Sequence, residues 1–342
     1  MRRTGALVLV VVAVLFALGI PAQACGFLVA PNGTVQLVKT TTLAAYAEGV
    51  EHYVTSFEYA GAETDFGSII PLPGVPTKVE RGGDWTLQRL VEEVRPPIPE
   101  AFALASGEAG NDVEILLTTK IDALDITVLK GGGTEVVEWA NSNGYFLPED
   151  AASTLEFYSR RSPIFLAARF DAARAAELEQ STGDGTPIHV SIPTENPWVP
   201  LRILAMGKPG DEQVEADVFL LTERRPALLG PRSGLNLSTS AWASETLLAD
   251  LRSDVGMEWV PDRMYLSHME LVVPASNLEY DLAIDQSGGD QPSAVAAGIT
   301  SPLPERILAE PQSAGWLLIP FIAIVGLSLA FLLKGAGSQT RL

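Results

Sequence analysis

Apolar and polar residues alternate with a period of two across residues 51–59, where Tyr53, Thr55, Phe57 and Tyr59 share one face and His52, Ser56 and Glu58 the other. Residues 214–220 repeat the pattern, with Val214, Ala216, Val218 and Leu220 set against Glu215 and Asp217. Successive side chains of a strand point to opposite faces, so this period predicts half-buried, antiparallel strands. Short runs rich in β-branched and aromatic residues predict further strands at 113–119, 126–130, 164–170, 188–192, 201–206 and 265–273.

Helical spacing is rarer. Asp84 is placed to cap a helix over 85–94, in which Leu87, Leu90, Val91 and Val94 form a stripe that Pro96-Pro97 stops. Thr134 opens a second helix with Val136, Val137, Trp139 and Ala140, closed by Gly144. Asp150 opens a third with Ala151, Leu155 and Tyr158 at i, i+4 and i+7, and Arg160 and Arg161 lie at its negative end. Alanine-rich 171–180 and the segment 244–255 complete the set. With no internal repeat, the pattern predicts an α+β domain: a mainly antiparallel sheet with helices inserted between strands, plus one C-terminal transmembrane helix.

The two ends carry the longest apolar runs. Arg2 and Arg3 precede an apolar stretch over 6–20, then Pro21 and the small-residue tripeptide Ala22-Gln23-Ala24, the layout of a secretory signal over residues 1–24. As a helix this stretch would reach ~22 Å, short of a hydrocarbon core of ~30 Å, so cleavage is expected rather than anchoring. The expected cut falls between Ala24 and Cys25. Cys25 also occupies the place of a lipid-modified bacterial cysteine, but Ala22 and Gln23 depart from the lipoprotein box, so lipidation of Cys25 stands as the alternative.

Residues 315–333 (GWLLIPFIAIVGLSLAFLL) carry no charge. They would span ~28 Å as a helix, enough to cross a bilayer. Twelve of them are Leu, Ile, Val or Phe, each favouring insertion by ~0.3–0.6 kcal/mol. Pro320 lies about one turn in, where its missing N–H costs little. Lys334 and Arg341 follow without an acid, while Glu305 and Glu310 precede, so the positive-inside rule puts the tail 334–342 in the cytoplasm. The nearest match to a wall-sorting signal, Leu303-Pro304-Glu305-Arg306-Ile307, lacks its Thr and Gly, so the helix is expected to stay. Between them, 25–284 is the exported domain and 285–314, poor in large apolar residues, reads as a flexible stalk. The expected location is the cell membrane, single-pass, with the domain extracytoplasmic.

Charge narrows the partners. All 42 acidic residues lie between Cys25 and Gln312, and four of the 23 basic ones (Arg2, Arg3, Lys334, Arg341) lie outside, leaving 19 against 42, a net of −23. Such a surface repels phosphate backbones, which excludes nucleic-acid binding. A single cysteine precludes an intrachain disulfide and a thiolate zinc site.

Several segments in order resemble the bacterial envelope family known as domain of unknown function 2330. They are Cys25-Gly26 after the signal, the aromatic strand 53–59 leading into Asp65-Phe66 and Pro71-Leu72-Pro73, and Glu138-Trp139 with Asn143-Gly144-Tyr145. The helix through Tyr158, the strand 164–170 and the strand start at Pro200-Leu201-Arg202 continue the series, over roughly residues 25–223. Phe66-Gly67-Ser68 departs from the Trp-led strand of the family. The resemblance implies an envelope location and supplies no active site.

No catalytic or cofactor motif emerges. A Gly-x-Ser-x-Gly elbow, a His-Glu-x-x-His pair and a phosphate loop are all missing from the sequence. His52, His189 and His268 are the only histidines and have no metal-ligand spacing, so no metal site is assigned. The pairs Glu92-Glu93, Asp122/Asp125 and Glu177/Glu179 read as solvated side chains, and 285–290 as a turn rather than a calcium loop. Trp85, Trp139, Trp198, Trp242 and Trp259, with Tyr145 and Tyr158, could line a sugar-stacking face. Trp85 and Trp139 fall on apolar stripes, whereas Trp198, in the rigid loop 193–200, is the aromatic offered to a partner, with burial its commoner fate. The expected function is non-enzymatic: an envelope binding or scaffold module for a protein or wall polymer, without cofactor. A hydrolase using a hidden carboxylate pair, or an accessory subunit of a membrane complex, are the alternatives.

Overall fold

The computed structural model describes residues 27–29, 40–57, 66–94, 114–145, 147–178, 186–229, 234–285 and 297. The signal, its cut at Ala24/Cys25, the span 315–333 and the tail 334–342 lie outside the described residues. Among the described residues no helix is long and apolar enough to cross a membrane.

Strands β1 (Phe27–Val29), β2 (Thr40–Ala47), β3 (Val50–Phe57), β4 (Phe66–Leu72) and β5 (Lys78–Arg81) precede helix α1 (Thr86–Val94). The hairpin β6 (Glu114–Ile121) and β7 (Leu124–Lys130) leads into α2 (Gly133–Ser142) and α3 (Ala151–Ser159). Next come β8 (Ile164–Phe170), α4 (Ala172–Glu177), β9 (Thr186–Pro193), β10 (Trp198–Val199) and β11 (Gln213–Thr222). The series ends with β12 (Ala227–Leu228), β13 (Leu235–Trp242), α5 (Glu245–Ser253), β14 (Tyr265–Pro274) and β15 (Leu282–Asp285).

Seven strands form one sheet in the order β13-β14-β11-β2-β3-β9-β5, five form a second in the order β1-β4-β8-β7-β6, and β10-β15-β12 make a small third. Every pairing is antiparallel except β11 with β2. The α+β expectation thus holds, with the helices few and set between strands.

The seven-stranded sheet separates two cores. On one face Ala44, Tyr53, Val190, Ala216, Val218 and Leu220 join the core shared with the five-stranded sheet and with α2 and α3. On the other, Leu43, Ala45, Val54, Phe219 and Leu221 pack against Leu90 of α1 and Leu247, Leu248 and Leu251 of α5. The central strands are therefore covered twice. In β11 every residue from Ala216 onward is buried, Asp217 included, so the half-buried reading of that strand is corrected. Double coverage also explains why β2 escaped the periodicity: Thr-Thr-Thr-Leu-Ala-Ala-Tyr-Ala has an inner side on both faces and no charged residue to mark an outer one.

The segment 201–206, expected as a strand, is instead a 3₁₀ turn over Arg202–Ala205. Its backbone donors are taken by side chains: Leu201 and Arg202 N–H donate to Asp281 Oδ1 at 2.8 and 2.9 Å, and Ile203 N–H to the Tyr158 hydroxyl at 2.9 Å. A ladder has no donors left to use.

Helix positions follow the apolar stripes, but three of the caps do not. Asp84 pairs with Arg81 at 2.5 Å. The carboxylate at the start of α1 belongs to Asp254, which accepts from Asp84 N, Trp85 N and the Thr86 hydroxyl at 3.1, 3.0 and 2.8 Å. Gly133 N–H donates to Glu156 of α3 at 3.2 Å, displacing Thr134 as the opening of α2. The Asp150 carboxylate turns away to accept from Gly207 N–H. By contrast Ser244 caps α5 from the adjoining chain position, accepting from Leu247 N–H at 3.1 Å. Within the stretch read as a stalk, Ala297 is buried in the first core and its carbonyl accepts from Asp281 N–H at 3.1 Å.

Candidate functional site

Trp198 lies inside the molecule, 3% exposed, stacked on Tyr158 at 5.7 Å between ring centroids. Its loop, expected to offer the ring outward, folds inward onto a buried ionic knot. Asp281 is fully enclosed and bonds Arg161 on one oxygen, while the other takes Tyr158 O–H and two backbone N–H groups. The Arg161 guanidinium sits 4.7 Å from the Trp198 ring centroid and 4.4 Å from that of Phe157. Trp198 N–H donates to Glu51 at 3.2 Å. With the ring enclosed on this scale, Trp198 is an anchor of the core and not a partner contact.

Glu51 is buried on the same sheet face, and burial pushes its carboxyl up to about 8 against the single bond from Trp198 N–H. At neutral pH it keeps its proton. Its other oxygen, Oε1, has no hydrogen-bond partner among the described residues.

All three histidines share the opposite, helix-covered face, as the register dictates. His268 of β14 lies opposite Phe219, Leu43 opposite Val54, and Val54 opposite His189. The sheet nevertheless keeps them in two groups, with β11 and β2 between. A three-histidine metal site is not assembled.

In the first group, His52 Nδ1 lies 2.9 Å from His189 Nε2, and both rings stack beneath Trp259, at 3.9 and 5.0 Å. His189 Nδ1 comes within 3.2 Å of Glu80. Burial holds both imidazoles down to about 4, reinforced for His52 by the charge of His189 and opposed by Glu80. The pair is neutral and packed.

In the second group, His268 Nε2 is 3.0 Å from Asp217 Oδ1, and His268 Nδ1 is 2.6 Å from the Ser238 hydroxyl. Phe219 stacks on the ring at 4.4 Å. Ser238 occupies the irregularity in β13 between Leu237 and Thr239, which turns its side chain onto the helix-covered face. Asp217, His268 and Glu270 offer ligand atoms all within 4.8 Å of one another. Sequence reading missed them because Asp217 and His268 stand 51 positions apart. The one local signal was the His268-Met269-Glu270 spacing, which puts two donors on one strand face.

Strand β13 is one of the two edges of this sheet, β5 the other. Among the described residues only β14 pairs with it. It carries Leu237 and Trp242, 48% and 47% exposed, on the face opposite His268. The Trp242 ring is held by the edge of Tyr265 at 5.4 Å and by the Arg263 guanidinium 4.0 Å from its centroid. Of the other tryptophans, Trp139 and Trp198 are buried and Trp85 and Trp259 half-buried, so a sugar-stacking face is not assembled. Of the acids in the three sequence pairs, Asp122 meets Arg81, Asp125 meets Lys120 and Arg174, and Glu93 meets Arg89. Glu179 lies outside the described residues.

A family model described as "Uncharacterized protein conserved in bacteria (DUF2330)" matches residues 20–283. Among curated proteins none matches. Of solved structures, the chain is similar to baculovirus P35, at 9% identity and a TM-score of 0.40 over 74% of this chain and 98% of that one. It is also similar to a mutated baculovirus P35 after caspase cleavage, at 10% identity and a TM-score of 0.37 over 73% and 98%. The caspase-8/P35 complex gives 7% identity and a TM-score of 0.33 over 75% and 92%. At these values nothing transfers from those proteins to this chain.

Proposed function

Because this chain belongs to the bacterial DUF2330 family over residues 20–283, we propose that it is a membrane-anchored, extracytoplasmic binding module of the cell envelope. In this reading it engages an extended segment of a partner protein along β13. The signal pattern over 1–24 and the uncharged apolar run over 315–333 support export and anchoring. One structural observation carries the binding: an edge strand that displays apolar side chains where edge strands ordinarily carry charge or proline. Leu237 and Trp242 stand half-exposed on it. An unpaired edge supplies backbone hydrogen bonds to an added strand, and alternate side chains supply the contact surface. Trp242, already oriented by Tyr265 and Arg263, would lose little freedom on contact.

A photo-crosslinking residue placed at Leu237 or Trp242 in cells tests this, with controls at Val75 and Val255, which are 51% and 70% exposed. The expected result is a discrete higher-mass adduct from the β13 positions and none from the controls. Equal yields at all four positions, or none at any, would remove β13 as the binding edge.

A further inference from the structure

The contacts of Ser238 and His268 constrain where the protons lie. Ser238 Oγ is 2.6 Å from His268 Nδ1 and 3.2 Å from the His268 carbonyl oxygen. The carbonyl can only accept, and the hydroxyl has one proton to give. Both contacts are satisfied together when Ser238 donates to the carbonyl and Nδ1–H donates to Ser238. Nε2 then faces Asp217 Oδ1, 3.0 Å away, either with a second proton or with its lone pair. A lone pair aimed at a carboxylate oxygen is repulsive unless a cation lies between them.

We propose that Asp217, His268 and Glu270 bind a divalent first-row transition ion, zinc or a close analogue, with His268 coordinating through Nε2. The three donors come from adjacent antiparallel strands. Asp217 lies directly opposite Glu270, and His268 is two residues before Glu270 on the same face. Metal bonds of ~2.1 Å place neighbouring ligand atoms ~3–4 Å apart. The 3.0 Å between His268 Nε2 and Asp217 Oδ1 fits that spacing, and all three atoms already lie within 4.8 Å of one another. One imidazole with two carboxylates suits zinc, iron or manganese better than calcium. The ring nitrogen away from the metal is oriented by Ser238, the usual arrangement for a coordinating histidine. Three protein donors leave coordination positions for water.

Full-length protein, stripped with chelator and titrated with Co²⁺, provides the test. The expected result is one Co²⁺ per chain with visible d–d absorption, displaced by Zn²⁺. Glu270→Gln and His268→Gln should each weaken binding more than tenfold, and Ser238→Ala by about tenfold through loss of the ring's orientation. Glu270 is half-buried, so its variant is the one least at risk of misfolding, and unchanged circular dichroism checks that it folds. His189→Gln should leave binding unchanged. Absence of a stoichiometric Co²⁺ spectrum, or one of equal strength in Glu270→Gln and His268→Gln, would overturn the site and leave His268 a hydrogen-bonding partner of Asp217.

Discussion

Glu51 and the pair His52 and His189 pull the pH dependence of folding in opposite directions from opposite faces of the same sheet. The histidines fall from an ordinary 6.5 to about 4 on folding. Their neutral state is the folded one, so the stability they allow is present above 6.5 and is lost as pH drops from there toward 4. Glu51 rises from 4.5 to about 8, so its contribution is present below 4.5 and declines as pH climbs toward 8. Two histidines outweigh one carboxyl below 6.5, and the carboxyl acts alone above it. These three groups place maximal stability near pH 6.5. Urea midpoints from pH 5 to 9 should show that maximum, and Glu51→Gln should flatten the fall on its alkaline side. A fall of unchanged steepness in the variant would assign it elsewhere. Asp281 is a separate case. Replacing it with Ala removes the buried carboxylate that holds Arg161, the Tyr158 hydroxyl and two backbone N–H groups, an expected loss of about 3–5 kcal/mol by chemical denaturation.

At the scale of elements, helix ends divide by where their caps come from. Ser244 caps α5 from its own chain position, and Ser244→Ala should cost about 1 kcal/mol. Helix α1 depends on Asp254, far along the sequence, whose carboxylate takes three donors at its start. Asp254→Ala should cost at least ~2 kcal/mol and speed hydrogen exchange of the first α1 amides. Gly83→Ala should do the same, because a Cβ there would run into the Asp254 carboxylate and the Thr86 hydroxyl. Equal exchange in wild type and both variants would show that α1 is held by its apolar stripe alone. The stripe was legible in Leu87, Leu90 and Val91, and residues 164–170 emerged as a strand with the bounds observed for β8. Strand β2 and the turn at Arg202–Ala205 were not legible, since double coverage erased the alternation of one and borrowed hydrogen bonds diverted the other.

For the whole molecule, the proposed anchor has a direct expected outcome. Full-length protein should remain with membranes through a carbonate wash, and a chain ending at Ala314 should be released. Release of both forms alike would set the anchor aside. The acidic exterior, net −23 between the two apolar ends, agrees with a domain held clear of anionic lipid.

Periodicity and the run of family-like segments over 25–223 were enough to establish the α+β class and the family, because each rests on local order along the chain. Which carboxylate caps which helix, why Trp198 turns inward, and that Asp217 meets His268 and Glu270 beside Ser238 were decided only by tertiary structure. Those contacts join strands paired across dozens of residues, and sequence spacing holds no record of the register that brings them within a few ångströms.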